Sequence, residues 1–505
     1  MTASLQGIGR KMAKGAAWMV LLKLTQRCIG LISTLVLARL LIPADFGLIA
    51  MAMSILAILE LLTSFNFDIA LIQNQNAERR HYDTAWTFNV LFGFAKALGL
   101  IVLAVPASIF FEEPRLVSII LAFAISVAVD GFGNIGVVAF QKDLDLRKEF
   151  RMGIAKKLIS FTVTLTLAIL LRNYWALIAG TLTASVAGVV LSYKMQGYRP
   201  QFSMKARKEL FHFSKWMLLS DLLIALAHRG PDFVLGKLSG PAALGIYGVA
   251  YEISNLPTTE LVFPIGRAVF PGYSKMVADP SELRRGFVDV LSVILLVTVP
   301  AGFGIAVLAE PLVQVLLGAK WVDVIPLIQV LAIFGILRAS MSNTGSVYLA
   351  LGRPKILTWL VLLYLAVLLP GLYWLVREHG AYGAAIAALL AATIQTPVAF
   401  AVVMRQLGLG VAAVGAVMWR PVTVGVFMGA AVYGTRSCWL NAEASDTPSY
   451  LFQLVALVPF GALAYVATII GIWFLSGRPH GAESILLSIA KSRWDNWTKA
   501  GAKPP

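Results

Sequence analysis

The sequence predicts an all-α polytopic membrane protein with about 14 transmembrane helices, arranged as two pseudo-symmetric six-helix lobes plus two C-terminal helices. Three observations support this prediction: the apolar composition, the number of long apolar runs, and an internal repeat. Of the 505 residues, 58% are apolar and 13% are charged, and the mean hydropathy is +0.79. Soluble proteins of ordinary composition carry far less apolar surface, so most of the chain is expected to lie in a bilayer.

The apolar runs divide into fourteen segments of spanning length. A helix needs about 20 mostly apolar residues to cross the hydrocarbon core. A closed barrel would instead require alternating segments of about ten residues, and the sequence shows no such pattern. The predicted spans are 16–38, 46–65, 85–109, 116–138, 153–171, 174–193, 213–236, 244–265, 287–309, 323–346, 356–376, 381–403, 421–436 and 450–476.

An internal repeat predicts that the two lobes are homologous. Residues 18–52 align with residues 216–250 at a fixed offset of 198, and eleven of the 35 positions are identical. The identities that chance supplies least readily are Trp18/Trp216, Pro43/Pro241 and Gly47/Gly245. Repeats of this kind are typical of secondary transporters, whose substrate sites lie near the bilayer midplane.

The repeat and the apolar runs also predict the domain boundaries. The chain is expected to divide into an N-terminal lobe at 1–194, a cytoplasmic linker at 195–215, a C-terminal lobe at 216–405, two further helices at 406–476, and a cytoplasmic amphipathic tail at 477–505.

The net charge of +16 follows the positive-inside rule. With the N-terminus in the cytoplasm, the inside segments carry 30 of the 42 Lys and Arg, and the outside connections carry seven. This distribution predicts that both termini are cytoplasmic, and it accounts for the charge without nucleic acid as a partner. No stretch offers a metal site, a nucleophile with a placed base, or a phosphate-binding Walker loop. The sequence therefore predicts neither a cofactor nor an enzyme activity.

Four residues of the first span share one helical face. They recur at spacings of four, three and four residues and are Lys23, Arg27, Gly30 and Thr34. A charge at bilayer depth costs about 2.5–3.5 kcal/mol on insertion scales, so this face is expected to look into a polar cavity. The alternative is that the Lys23 ammonium snorkels to the inner interface. Glu60 in the second span is a candidate buried partner for Lys23 or Arg27.

The fourth span ends in a polar stretch. Asp130, Asn134 and Gln141 are expected on one helical face. The glycines Gly131, Gly133 and Gly136 match the dinucleotide-binding pattern G-x-G-x-x-G literally. That pattern requires a preceding strand and a soluble βαβ unit, whereas glycines in a membrane helix are typical of close helix packing.

Acidic and histidine side chains within the spans are candidates for ion coupling or for lining the cavity. They are Glu60, Asp130, Asp221, His228, Asp232 and Glu252. The seventh span presents three of them on one face, and the eighth adds Glu252 beside Pro257, which is expected to break that helix. This arrangement indicates a proton or a sodium ion as the coupled ion. The alternative is an internal salt bridge, for example with Arg229 or Arg338.

Two segments carry a resemblance to a known family, namely ARLLIPADFGLIAMAMSI at 38–55 and its echo GKLSGPAALGIYGVAYEIS at 236–254. With the basic N-terminal arm and two six-helix lobes, the chain over roughly residues 1–480 resembles the polysaccharide-transporter branch of the multidrug/oligosaccharidyl-lipid/polysaccharide exporter superfamily. Within that branch it is most similar to flippases of colanic-acid, succinoglycan and similar exopolysaccharide pathways.

The resemblance implies an alternating-access flippase of the bacterial inner membrane. Its implied cargo is an undecaprenyl-diphosphate-linked oligosaccharide repeat unit for exopolysaccharide, O-antigen or capsule synthesis. Membrane lipids, a polysaccharide polymerase and export machinery are the expected partners, and a proton or sodium gradient is the expected energy source. Because family members use a cationic cavity for the diphosphate or acidic sugars, the candidate substrate-binding residues are Lys23, Arg27, Lys96 and Arg338.

Three alternatives to this function stay open. A lipid II flippase shares the mechanism and differs in the sugar, and a cation-coupled multidrug exporter of the same superfamily shares the twelve-helix core. A membrane glycosyltransferase belongs to a different class, and the short outer connections of this chain disfavour it.

Overall fold

The computed structural model describes residues 2–63, 71, 77–142, 145–206, 217–258, 262, 269, 272–353, 355–439, 447–477, 481 and 484. The described chain is almost entirely helical and contains no strand in these ranges. Its α-helices are α1 Thr2–Leu40, α2 Pro43–Thr63, α3 Arg79–Phe111, α4 Leu116–Gly131, α5 Val138–Lys142, α6 Leu146–Leu171, α7 Trp175–Met195, α8 Met217–Ser254, α9 Pro280–Val307, α10 Ala309–Leu316, α11 Val324–Ala350, α12 Lys355–Leu407, α13 Val411–Trp439 and α14 Thr447–Leu475.

Within the described ranges, eleven helices are long and apolar enough to cross a membrane, and the bent pair α4 and α5 makes a twelfth if it counts as one span. Two of these helices are broken by a glycine at positive φ, Gly240 (φ 77°) in α8 and Gly380 (φ 54°) in α12. Glycine adopts this backbone conformation without steric cost. Each broken helix covers two of the predicted spans. The prediction of an all-α polytopic membrane protein is therefore confirmed.

The chain forms two compact units, residues 1–245 and 246–505. The first contains α1 to α7 and most of α8, and the second contains the end of α8 and α9 to α14. The finer division into two lobes, a linker, two extra helices and a tail stays a prediction. Most of the predicted tail lies outside the described residues.

Close helix packing in the first unit depends on a pair of glycines. A methyl group built on Gly131 of α4 would lie 3.2 Å from the Gly93 Cα of α3, and one built on Gly93 would lie 3.0 Å from the Gly131 Cα. No side chain separates the two backbones at this point, so the helices approach closely. The prediction that Gly131 serves helix packing is confirmed.

A bend of 63° separates α4 from the 3-10 turn Ile135–Val137 and α5. Asp130, Asn134 and Gln141 therefore do not share a helical face, and that prediction is wrong. Asn134 caps the bend instead, since its Oδ1 accepts a hydrogen bond from the Gly136 N–H at 2.9 Å. The physical reason is that an interrupted helix leaves backbone N–H groups open, and an asparagine side chain satisfies one of them.

The segment that follows α7, residues 196–206, is non-helical and is fastened to the start of α3. We call it the strap. The Asp83 carboxylate, only 7% exposed, accepts hydrogen bonds from the Tyr198 hydroxyl at 2.5 Å and from the Gln201 N–H at 2.9 Å. Burial, and then the hydrogen bond to Asp83, raise the pKa of Tyr198. Two further bonds join the Ser203 N–H to Thr87 Oγ1 at 2.9 Å and the Ala206 N–H to Thr84 Oγ1 at 3.2 Å.

The two copies of the Pro-Ala-x-x-Gly turn pack against each other within the first unit. A methyl group built on Gly47 would lie 1.6 Å from the Pro241 carbonyl oxygen. One built on Gly245 would lie 1.9 Å from the Pro43 carbonyl oxygen. The repeat therefore relates the two contacts to each other, with a glycine of each copy against the proline of the other, which explains why both copies carry glycine.

In the second unit, α9 lies between α11 and α13. A methyl group on Gly425 of α13 would lie 2.6 Å from Val299 Cγ1, so this glycine admits the α9 side chain. The core around α9, α11 and α12 includes Phe287, Tyr348 and Phe400, all buried. The Tyr348 hydroxyl donates a hydrogen bond to the Ala399 carbonyl at 2.9 Å, so its polar atom is satisfied inside the core.

Candidate substrate-binding site

The polar face predicted on the first span exists, because α1 is helical without interruption through Lys23, Arg27, Gly30 and Thr34. The Lys23 side chain is exposed, whereas Arg27 and Thr34 are half-buried. A third predicted cation, Lys96, is half-buried on α3. These residues all belong to the first unit. Whether they bind substrate stays a prediction.

Helix α6 adds a lysine beside this face. A methyl group built on Gly153 would lie 2.9 Å from Leu22 Cδ1 and 3.0 Å from Gln26 Nε2, so α1 and α6 pack closely here. One turn further along α6, the Lys157 ammonium is 4.0 Å from the Cβ position of Gly30. The packing of α6 therefore brings a second helix's cation to the polar face of α1.

Sequence reasoning missed Lys157 because it counted this residue with the cytoplasmic cations next to the fifth span. A signal was present in the spacing. Gly153 and Lys157 are four residues apart, as are Leu22 and Gln26 of the facing helix, so each pair lies on one side of its helix. Only the packing of the two helices shows that these sides face each other.

The second unit places Arg338 of α11 against an aromatic cluster at the end of α8. The Arg338 guanidinium donates a hydrogen bond to the Tyr251 hydroxyl and lies 5.9 Å from the centre of the Tyr251 ring. The rings of Tyr247 and Phe334 both neighbour Tyr251, and each ring centre is 6.1 Å from that of Tyr251. Arg338 and Tyr251 are both half-buried. This is the cation–π arrangement in which an aromatic face partly offsets the cost of a desolvated charge.

Backbone and hydroxyl contacts hold the end of α8 on α11 at this point. Gly335 has no side chain, and a methyl group there would lie 3.2 Å from the Ser254 carbonyl oxygen. The Thr258 hydroxyl donates to the Gly335 carbonyl at 3.0 Å, and the Ser254 hydroxyl donates to the Ile328 carbonyl at 3.3 Å. The helix breaks at Asn255, close to Pro257, as the sequence predicted. Its end is thereby positioned so that Tyr251 meets Arg338.

The predicted ion-coupling residues lie in different surroundings. Asp232 is half-buried and pairs with Arg229 at 3.1 Å, so for this residue the alternative of an internal salt bridge is confirmed. Asp130 is exposed and accepts a hydrogen bond from Ser185 at 2.8 Å. Glu60 is also exposed, which is contrary to its predicted burial, because α2 turns this side chain to the surface of the unit.

The other three predicted ion-coupling residues are Glu252, Asp221 and His228, all in α8. Glu252 is half-buried beside Tyr251 in α8. The side chains of Asp221 and His228 lie outside the described residues, although their backbone is helical. Among the residues that the structure describes, no three His, Cys, Asp or Glu side chains are grouped so that they could hold a metal ion. Ion coupling stays a prediction for these positions.

The fold matches that of a protein of known structure. The structure is similar to that of the lipid II flippase MurJ in an inward closed conformation, with a TM-score of 0.71 and 13% identity over 90% of this chain and 98% of that chain. The chain belongs to the polysaccharide biosynthesis protein family, whose model matches residues 36–326. The resemblance found in the two turn segments is thereby confirmed.

Two relatives extend over most of the chain. The lipopolysaccharide biosynthesis protein WzxC of Escherichia coli strain K12 is 26% identical over 78% of this chain and 81% of its own length. The succinoglycan biosynthesis transport protein ExoT of Rhizobium meliloti strain 1021 is 23% identical over 70% of this chain and 72% of its own length.

Proposed function

We propose that this protein is an alternating-access flippase that moves an undecaprenyl-diphosphate-linked oligosaccharide repeat unit from the inner to the outer leaflet. Family membership and the fold support this function. The roles of WzxC in lipopolysaccharide biosynthesis and of ExoT in succinoglycan biosynthesis and transport support the same class of cargo. The proposed activity is transport and involves no covalent change of the cargo.

One observation carries the proposal: each unit holds a partly buried cation within a membrane-spanning helix. In the first unit Arg27 lies on α1, and Lys157 of α6 is near the same face. In the second unit Arg338 is held by the Tyr251 hydroxyl and ring. Intramembrane cations are costly and mark substrate pathways, and a diphosphate is the anion that a guanidinium binds bidentately.

The two kinds of cation suit different parts of such a cargo. A lysine acts as a point charge, so Lys157 suits the mobile diphosphate as it enters. The Arg338 and Tyr251 pair offers a guanidinium beside an aromatic face, and it suits an acidic sugar whose apolar ring face packs on tyrosine. Lys23 and Lys96 add positive charge to the first unit.

The return of the empty transporter needs an energy source, and we assign it to a proton or sodium gradient. Asp221 and Glu252 are the proposed coupling groups. Asp232 is proposed to take part through its ion pair with Arg229. Asp221→Asn is expected to flatten the dependence of transport on the gradient. An unchanged dependence in reconstituted vesicles would remove Asp221 from the mechanism.

The proposed location is the bacterial inner membrane, with both termini in the cytoplasm. The charge distribution supports this orientation, since 30 of the 42 Lys and Arg fall in the inside segments. A polysaccharide polymerase on the outer face would consume the delivered repeat units, and export machinery would follow.

A deletion strain tests the function directly. We expect loss of secreted polymer together with accumulation of the undecaprenyl-linked repeat on the cytoplasmic side of the membrane. Wild-type protein should restore export, Arg27→Gln should not, and Arg151→Gln on the exposed side of α6 should. Unchanged polymer combined with new sensitivity to cationic drugs would contradict the proposal and favour multidrug export.

Lipid II is a second candidate cargo, favoured by the structural similarity to MurJ. The same extracts distinguish the two cargoes. Accumulation of lipid II with normal secreted polymer would favour cell-wall synthesis over exopolysaccharide synthesis.

A further inference from the structure

The second unit contains an apolar groove of about 660 Å³ between α9, α13 and α14. Nearly all of its lining side chains are aliphatic or aromatic, and they include Pro300, Gly304, Val432, Gly461 and Trp473. Gly304 opens directly into free space, because a methyl group built there meets no atom within 4 Å. None of the proposed substrate cations lines this groove.

A polar cluster lies at one end of the groove. Arg436 follows the groove residue Val432 by one turn of α13, and it pairs with Glu310 of α10 at 2.5 Å. The Tyr450 hydroxyl of α14 lies 3.4 Å from the second Glu310 oxygen. Glu310 itself sits between Leu308 and Leu312, which both line the groove. We call Glu310, Arg436, Tyr450 and Gln453 the polar end of the groove.

Gln453 provides an independent sign that this end takes a ligand. It lies one turn from the groove residue Leu457 and one turn from Tyr450 on α14. The side chain is only 4% exposed, and its Oε1 has no hydrogen-bond partner in the described part of the chain. Buried polar atoms are nearly always paired, so an unpaired amide oxygen at the end of an apolar groove points to a polar group from outside the chain.

Arg436 also retains hydrogen-bonding capacity. A guanidinium has five N–H donors, and within the described residues that of Arg436 makes a single contact, to one Glu310 oxygen. Its side chain is 21% exposed. A phosphate can therefore bind to the remaining donors in the bidentate geometry that arginine favours.

We propose that this groove binds an anionic glycerophospholipid, with one acyl chain along the groove and its phosphate on Arg436. The positive-inside pattern places the polar end in the outer leaflet. The Gln453 carboxamide, which has both donors and an acceptor, then faces the ester and hydroxyl groups next to the phosphate. This inference is independent of the proposed cargo.

The length of the groove favours a bilayer phospholipid over the cargo's own lipid. The lining runs from Leu296 to Leu308 along α9 and from Leu457 to Trp473 along α14, which is about 18 Å and about 24 Å at 1.5 Å per residue. One leaflet contributes half of a hydrocarbon core of about 30 Å, so the groove can hold one acyl chain over the full depth of a leaflet. An undecaprenyl chain is much longer than one leaflet is deep.

The test measures lipid binding to the full-length protein in detergent by native mass spectrometry. The probes are phosphatidylglycerol, phosphatidylethanolamine and undecaprenyl phosphate. We expect phosphatidylglycerol to bind preferentially, and Arg436→Gln to weaken its binding about tenfold, as loss of a charge-assisted hydrogen bond implies. Gly304→Leu should weaken binding independently by filling the groove, since the Cβ position of Gly304 has no other atom within 4 Å.

Arg377→Gln is the matched control. Arg377 is an exposed arginine that bonds the Tyr373 hydroxyl at 3.0 Å and lies away from the groove, so its loss should leave lipid binding unchanged. Equal binding of phosphatidylglycerol by wild type, Arg436→Gln and Gly304→Leu would overturn the proposal. So would preferential binding of undecaprenyl phosphate that depends on Gly304 and Arg436, because the groove would then hold the cargo lipid. Export in cells is scored separately, and its failure bears on the proposed function alone.

Discussion

Gly47 lies so close to Pro241 that a methyl group on the glycine would be 1.6 Å from the proline carbonyl oxygen. The equivalent contact joins Gly245 to Pro43 within the same unit. The two turns therefore touch backbone to backbone, and the 198-residue repeat offset relates the first of these contacts to the second. A side chain at either glycine would force α2 and α8 apart.

Gly47→Ala is expected to lower the free energy of unfolding of the purified protein by about 1–3 kcal/mol, which is the usual effect of overpacking. The measurement is the melting temperature in detergent. Gly248→Ala is the control, since a methyl group there meets no atom within 4 Å, and it should leave stability unchanged or slightly raised. Equal melting temperatures for Gly47→Ala and wild type would show that the turns separate at no cost.

Tyr198→Phe is expected to loosen the strap. The substitution removes one hydrogen bond from the Asp83 carboxylate, which is only 7% exposed. It should therefore lower the free energy of unfolding by about 1–3 kcal/mol. Limited proteolysis between α7 and α8 should then become faster. Tyr433→Phe, which alters an exposed tyrosine of α13, should change neither the stability nor the rate of proteolysis. Equal rates of proteolysis for the two variants would count against the role of Asp83 in holding the strap.

Lys157→Gln is expected to weaken binding of an undecaprenyl-diphosphate-linked oligosaccharide about tenfold, as loss of one charge-assisted hydrogen bond implies. The readout is the Kd for that lipid in nanodiscs, measured with complementation of polymer export. Arg151→Gln, an exposed cation on the same helix, is the matched control. If both variants bind as wild type does, Lys157 serves only the packing of α6 on α1.

Tyr251 is expected to position Arg338, so Tyr251→Phe and Tyr251→Leu should differ. The phenylalanine keeps the ring beneath the guanidinium and removes the hydroxyl bond, whereas the leucine removes both contacts. Cation–π contacts contribute about 0.5–2 kcal/mol, so export should fall further for the leucine. Export by both variants is measured with acidic and with neutral repeat units as cargo. If export falls equally for the two cargoes, the role of Tyr251 is purely structural.

Much of the fold could be predicted because apolar run length is a local property of the chain. Every predicted span overlaps a helix in the described part of the chain, including the pairs joined at Gly240 and Gly380. The bend after Gly131 was missed, because the stretch up to Gln141 has no proline and reads as one helix. Capping by Asn134 depends on contacts with the strap, which is distant in sequence.

The candidate site could be predicted only in part. Periodicity placed Lys23 and Arg27 on one face of α1 correctly, since such spacing needs no tertiary information. The predicted burial of Glu60 was wrong, and the position of Lys157 beside Gly30 was missed, for one reason: how exposed a charged side chain is depends on which neighbouring helix packs against it. Charge patterning along the chain carries no information on that covering helix.

The sequence by itself determined that this chain spans a membrane many times, that its two leading helix pairs are repeats, and that it belongs with polysaccharide transporters. The first two properties follow from hydrophobic run length and from identities at a fixed offset. The third rests on the resemblance of the segments at 38–55 and 236–254 to that family, which the family model over residues 36–326 confirms. Only the tertiary structure decided that Gly47 meets Pro241, that Arg338 lies on Tyr251, and that Arg436 pairs with Glu310 beside an apolar groove. Such contacts join residues far apart along the chain, and their geometry is set by which helix faces pack together.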